Sequence, residues 1–290
     1  MTLSRRRFLS ISAACLLAGP ARAERWQGRA FGAEIDITIR GPRDIAGPAV
    51  RAARDLLRRI EAQFNLFDPG SQLSRLNAAG RLDTPDPMFR TLMRAADRVH
   101  RATGGLFDPT VQPLWRALAD GGDLVAARRL IGWSRVTHGT QAVVLGTGQA
   151  LTFNGIAQGF ATDRVADLLA AAGFGDTLVN IGEFRGSGGP WTLGLSDPQF
   201  GHLGTRTLTQ GAIATSSPHS VPLQGRGHIL HASAAPQWST VSVEAADATT
   251  ADGFSTALAL APLDMIRALP GRHGIRRVTL VNTTGDLITL

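Results

Sequence analysis

The sequence predicts an α+β protein with a mixed, largely antiparallel sheet and packed helices. Two observations predict it. Helix-period and strand-period segments both occur, yet they do not alternate as the βαβ units that build a parallel sheet. The last fifteen residues, RRVTLVNTTGDLITL, read as strand, turn and strand, with Thr283-Thr284-Gly285-Asp286 as the turn of an antiparallel hairpin.

Ala33 to Ile39 alternates apolar and polar residues and is expected as a strand. From Ala49 to Phe64 the apolar positions Val50, Ala53, Leu57, Ile60 and Phe64 recur every three or four residues, the spacing of a helix. A turn at Asp68-Pro69-Gly70-Ser71 follows. Met88 to Thr103 repeats the helical spacing and stops at Gly104-Gly105. Ala142 to Leu145 and Ala150 to Phe153 read as a hairpin about Gly146-Thr147-Gly148. Phe160 to Ala172 is a helix ended by Gly173. Thr177 to Ile181, Trp191 to Leu195 and Thr240 to Val243 are strands, and a helix is expected from about Ala251 to Ala261.

The first residues form a separate unit. Arg5-Arg6-Arg7-Phe8-Leu9 has the form of a twin-arginine export signal, an apolar run reaches Ala18, and Ala21-Arg22-Ala23 has the form of a cleavage site. Residues 1–23 are therefore expected as a signal peptide, residues 24–290 as a single domain, and the destination as the periplasm. The apolar run is about half of the ~20 residues that a spanning helix needs. Cys15 is the one cysteine, and it has Ser12 three residues before it rather than the leucine of a lipidation signal. A chain cleaved after Ala23 has no disulfide, no thiolate metal site and no cysteine nucleophile. The formal charge of +7 includes four leader arginines and no leader acid, so +3 remains beyond residue 23. There is no lysine, which excludes Schiff-base chemistry, and no arginine cluster interleaved with aromatics of the kind that binds nucleic acid.

Four groups are candidates for chemistry. Asp252 and Thr256 are four apart and share one face of the expected helix, with Thr249 and Thr250 just before them. A carboxylate and a hydroxyl near a helix start suit an oxygen-liganded cation such as Mg²⁺; the alternative is capping by Thr250, with Asp252 favouring the helix dipole. Gly155-Ile156-Ala157-Gln158-Gly159 precedes a helix, where exposed amides can hold an anion or simply close a loop. Asp108, held extended before Pro109, is either a ligand group or the cap of the next helix. His228 and His231, three apart in strand-like sequence, point to opposite faces, so they do not share a metal.

In order along the chain, six segments resemble the ApbE family of FAD:protein FMN transferases. They are Phe31-Gly32-Ala33, the S-x-L-S-x-L-N run Ser71 to Asn77, the G-L-F-D-P-T-V-Q-P-L run Gly105 to Leu114, the G-I-A-Q-G-F-A-T-D run Gly155 to Asp163, Ala214-Thr215-Ser216, and the A-D-G-F-S-T-A-L run Ala251 to Leu258. The resemblance implies an ApbE-like fold of T-fold type and a reaction that moves FMN from FAD to a threonine of a periplasmic acceptor protein, releasing AMP. Mg²⁺ is the implied cofactor and FAD the substrate; the membrane is involved only through the acceptor. By resemblance, Gly155, Asp252 and Thr256 are the metal ligands, Phe31, Phe107, Asp108 and Gln158 contact FAD, and His228 is a general base.

The pattern departs from the family in several places. Thr152 stands where the family usually has an acid. His228-Ile229-Leu230-His231-Ala232 keeps the His-Ile of H-I-x-D-P and loses its Asp and Pro. Glu183 follows Gly182 where N-x-G-G-D has its second glycine. Gln158 replaces a frequent lysine, and Thr249 takes a place that is often acidic, as a further potential ligand. A non-catalytic FAD-binding or flavoprotein-maturation relative, or an FAD pyrophosphatase, are the alternatives that these departures leave open.

Overall fold

The computed structural model describes residues 23–41 and 43–290. The expected leader, its arginines and Cys15 lie outside the described residues. The chain opens on strands β1 (Ala23–Ala30) and β2 (Ala33–Arg40), paired antiparallel. Phe31 and Gly32 join them with φ of 53° and 75°, the left-handed sense that a two-residue hairpin needs. Gly32 adopts it freely. Phe31 does not, and its amide is held by Glu61 Oε1 at 2.8 Å.

Helices α1 (Arg43–Phe64) and α2 (Gln72–Ala79) follow, α2 being capped by Ser71, whose hydroxyl accepts the Ser74 amide. Strand β3 (Arg81–Asp83) leads to α3 (Pro87–Ala102), where Asp86 caps and Pro87 takes the first helical position. Then come α4 (Gln112–Asp120), α5 (Leu124–Arg129), β4 (Thr137–His138) and β5 (Ala142–Val144). Helix α6 (Ala157–Ala171) precedes β6 (Thr177–Asn180), β7 (Phe184–Ser187), β8 (Trp191–Asp197), β9 (Gly201–Leu208) and β10 (Gly211–Ser216). After an irregular stretch come β11 (Thr240–Ala245), α7 (Ala248–Leu258), α8 (Leu263–Arg267), β12 (Ile275–Val281) and β13 (Leu287–Thr289).

Eight strands form one antiparallel sheet in the order β1-β2-β6-β7-β10-β11-β12-β13. The α+β expectation and the C-terminal hairpin hold. Successive side chains of a strand face opposite sides, and both faces of this sheet are used. Val179, Ala212 and Ala214 face the helices in the main core. Leu178 and Ile213, one residue away, face the β8–β9 hairpin with Trp191, Leu193, Leu195 and Leu208.

Two expectations are corrected. Ala150 to Phe153 is not a strand, and β5 pairs instead with β3 and β4. The segment's hydrogen-bonding groups are met elsewhere: the Asn77 side chain accepts the Leu151 amide at 2.7 Å and donates to the Leu151 carbonyl at 2.9 Å. The Thr152 amide reaches the Pro109 carbonyl at 2.9 Å. The helix expected from about Ala251 to Ala261 is α7, which runs from Ala248 to Leu258; it begins three residues earlier because Asp247 rather than Thr250 caps it.

An aromatic cluster fixes what comes next. Phe64 of α1 meets Phe89 of α3 at 5.4 Å, Phe153 at 5.7 Å and Phe160 of α6 at 5.9 Å between ring centroids. Each such pair contributes about 0.5–1.5 kcal/mol beyond area burial. Phe153 and Phe160 flank the Asn154–Gly155 turn, so this packing anchors the turn on both sides.

Candidate active site

The site is built where the start of α6 meets α7. The two helices touch through small residues: a Cβ on Gly159 would lie 2.2 Å from the Ala248 carbonyl oxygen, and 2.7 Å from Asp252 Cβ. Only glycine permits that approach. It lets the Gly159 amide donate to Asp252 Oδ2 at 2.9 Å. One turn along α7, the Thr256 hydroxyl lies 3.3 Å from the Gly155 carbonyl oxygen and 3.4 Å from Ser216 Oγ at the end of β10. The structure thus brings Gly155, Asp252 and Thr256 together from positions about 100 residues apart in sequence.

The electrostatics are those of an unpaired acid site. Asp252 is 3% exposed, and burial pushes its carboxyl from 3.8 up to about 7, against the opposing Gly159 hydrogen bond. Glu183 is 8% exposed and is raised well above its ordinary value, first by burial and then by the charge of Asp252. Among the described residues neither carboxylate has an arginine or histidine partner; Arg185 pairs instead with Asp163 at 2.8 Å and Asp167 at 3.0 Å. Among those residues there is no cluster of three or more His, Cys, Asp or Glu side chains able to hold a metal by themselves. Any cation here must be shared with backbone and hydroxyl oxygens. The Gly155 carbonyl and Thr256 hydroxyl suit that: their separation is close to the ~3 Å edge of an octahedron with ligands at about 2.1 Å.

Asp163 shows why α7 starts where it does. Its carboxylate accepts the amides of Ala248 and Thr249, both at 2.8 Å, and the Thr249 hydroxyl. An acid at a helix N-terminus meets orphan amides and the positive dipole end together. Thr249 is thus engaged by Asp163 through both its amide and its hydroxyl.

The other expected residues divide. Gln158 is in the first turn of α6, its side chain against Gly182, where φ is 91° and a Cβ would lie 2.6 Å from Gln158 Cδ. Phe31 sits at the tip of the β1–β2 hairpin, partly buried against the main core. Phe107 is 5% exposed and packs in that core, with its amide on Thr103 Oγ1 and its carbonyl on His100 Nδ1. Asp108 caps the short turn Pro109–Val111: Oδ1 accepts the Thr110 amide at 2.8 Å and Oδ2 the Trp133 amide at 3.3 Å. Both side chains also hold the shape of the loop that carries them.

His228 lies in irregular chain, not in a strand. Its Nδ1 is 2.9 Å from the Pro218 carbonyl, two residues beyond Ser216. A carbonyl only accepts, so Nδ1 carries the proton and Nε2 keeps its lone pair. Burial holds the imidazole below its ordinary 6.5, hence neutral. Residues on both sides of His228, Gly227 and Ile229, line a cleft of about 680 Å³ with Arg128, Arg226, His219 and His231. A second cleft of about 730 Å³, near Asn77 and Gly148, touches none of the candidate residues. His231 Nδ1 accepts the amides of Ser233 at 3.1 Å and Ala234 at 2.9 Å. This is the turn an aspartate in that place can make, so the altered segment keeps a local closure.

The ApbE family pattern matches residues 31–279. The chain belongs to the ApbE family. It is 27% identical to an FAD:protein FMN transferase of Klebsiella pneumoniae (strain 342), a match over 61% of this chain that spans 61% of that protein's length. The flavin transferase ApbE of Vibrio cholerae superposes with a TM-score of 0.80 at 22% identity, covering 92% of this chain and 97% of that one. The ApbE protein of Thermotoga maritima gives 0.83 at 24% identity, covering 92% and 96%. At these identities the superpositions establish the ApbE fold. Glu183 and Asp163 are the residues that sequence reasoning missed. Their signal was weak, since Glu183 read as an obstruction beside Gly182 and Asp163 as the last letter of a motif.

Proposed function

We propose that this ApbE-family chain transfers FMN from FAD to a threonine hydroxyl of an exported acceptor protein, with Mg²⁺ bound, and releases AMP. The observation that carries the reading is the convergence of Gly155, Asp252 and Thr256 at an acid site without a basic partner. Those three would hold the cation, which when bound neutralises pyrophosphate oxygens and orients them.

The chain's own groups then account for the rest. Phe31, Phe107, Asp108 and Gln158 contact the flavin nucleotide. His228, neutral and with Nε2 open, takes the proton from the threonine hydroxyl. The threonine oxygen bonds to the phosphorus of the FMN half, and the bond from that phosphorus to the bridging oxygen breaks, so AMP leaves carrying that oxygen. Most of the acceleration comes from positioning and charge neutralisation. The twin-arginine form of the leader supports export and action in the periplasm.

The direct test is AMP release from FAD in the presence of acceptor, with and without Mg²⁺. Asp252→Ala is expected to abolish it; retained Mg²⁺-dependent turnover in that variant contradicts the ligand assignment.

A further inference from the structure

Asp197, the last residue of β8, is a buried carboxylate that the transfer described above does not use. It has four hydrogen-bond donors. Oδ1 accepts the amides of Gln199 at 2.7 Å and Phe200 at 2.9 Å, which closes the β8–β9 turn. Oδ2 accepts the hydroxyls of Ser239 at 2.7 Å and Thr240 at 2.6 Å, where β11 begins. Burial alone would raise the carboxyl, but these bonds outweigh it and hold Asp197 below its ordinary value, so it is ionised and only accepts. That fixes the direction of the next bond. The Thr240 hydroxyl has one proton, and Asp197 holds it. The 2.7 Å contact between Thr240 Oγ1 and the buried Ser217 Oγ is therefore a bond that Ser217 donates. Ser217 leads directly into Pro218. The Pro218 carbonyl accepts the His228 backbone amide at 2.9 Å and the proton of its ring Nδ1 at 2.9 Å. The approach needs glycine before the histidine: a Cβ on Gly227 would lie 2.6 Å from that carbonyl oxygen. A continuous path thus runs from the charge of Asp197, through Thr240 and Ser217, to the carbonyl that sets the tautomer and orientation of His228.

We propose that Asp197, acting through Thr240 and Ser217, is a positioning residue for His228: it fixes the Ser217–Pro218 segment so that the imidazole keeps its proton on Nδ1 and presents Nε2 to the acceptor hydroxyl. The proposal rests on the base role given to His228 above. It gives the β8–β9 hairpin, on the sheet face away from the main core, a part in the transfer.

The alternative is that Asp197 only closes its own turn and anchors β11. Three substitutions separate the two. Ser217→Ala cuts the path to Pro218 and leaves all four donors on Asp197. Asp197→Asn keeps the shape and removes the charge. Ser239→Ala takes a donor from the same Oδ2 without lying on the path, and serves as the control. The test is the rate of FMN transfer by the full chain to a threonine-bearing acceptor domain, at saturating FAD and Mg²⁺, with each substitution made alone and together with His228→Gln. Alone, Ser217→Ala and Asp197→Asn are expected to lower kcat about tenfold to a hundredfold with KM for FAD unchanged, while Ser239→Ala stays near wild type. Combined with His228→Gln, each is expected to change the residual rate by less than about twofold, because the group they position is gone. An equal fold-loss with and without His228 overturns the proposal, since the path then serves the fold and not the base. So does an undiminished kcat in Ser217→Ala. A His228→Gln chain that transfers FMN as fast as wild type overturns the base reading itself, and this proposal with it.

Discussion

Asp252 concentrates the electrostatics of the site in one carboxylate, and its titration gives a signed prediction. The folded value of about 7 lies above 3.8, so the folded state binds the proton more tightly than the unfolded chain. This group's contribution to stability is full below pH about 4 and is lost as pH rises toward 7. In EDTA at pH 8, Asp252→Asn is therefore expected to melt above wild type, and the two should converge near pH 4; a gap independent of pH contradicts the assigned burial. His228 gives a second prediction. His228→Gln should lower kcat/KM for the acceptor by about 10²- to 10⁴-fold while leaving FAD binding intact. Because its imidazole is held below 6.5, the acidic limb of the wild-type pH profile should fall below that value. An inflection above 6.5 would assign the base elsewhere. The pairing of Asp252 with Thr256 was legible in the sequence because i, i+4 spacing is a local signal, whereas Gly155 joined them only through the family resemblance. Glu183 was not legible, because its burial depends on a strand pairing that places it beside Thr215, 32 positions away.

The pairing of α6 with α7 is the element on which the site depends. Gly159→Ala inserts a methyl where the Ala248 carbonyl already stands. It should cost about 1–3 kcal/mol and weaken Mg²⁺-dependent stabilisation as well, since the Gly159 amide holds Asp252. A variant with wild-type melting and wild-type Mg²⁺ response would show that the helices can separate freely. Most elements were legible from their periodicity: α1, α3, α6, β6, β8, β11 and the C-terminal hairpin. The exceptions have physical causes. Ala150 to Phe153 has a strand's composition, but Asn77 and Pro109 take its backbone bonds. The start of α7 was read three residues late because its apolar signal begins after the polar residues that Asp247 and Asp163 cap. Strands β7 and β9 mix glycine, polar and apolar residues on both faces, and β10 is buried on both, so none shows a clear alternation.

At the scale of the whole molecule, one sheet joins both ends of the described chain, and its helix-covered face holds the site's contributing segments. The turn before α6, the start of α7 and the end of β10 come from three separate stretches, yet all three meet at the same spot. This explains why the family resemblance could be read as six scattered motifs, and why the departures at Thr152, Glu183 and His231 are best judged in space. Two of them find local answers: Glu183 holds the Thr215 amide, and His231 closes its own turn. The central claim is transfer to a protein acceptor. The measurement that tests it most directly is intact mass of a threonine-bearing acceptor domain after incubation with residues 24–290, FAD and Mg²⁺, with EDTA as control. A gain of one FMN less water, lost in EDTA, is the predicted result. An unchanged acceptor mass with FAD still bound to the chain would contradict transfer and make this a flavin-binding relative.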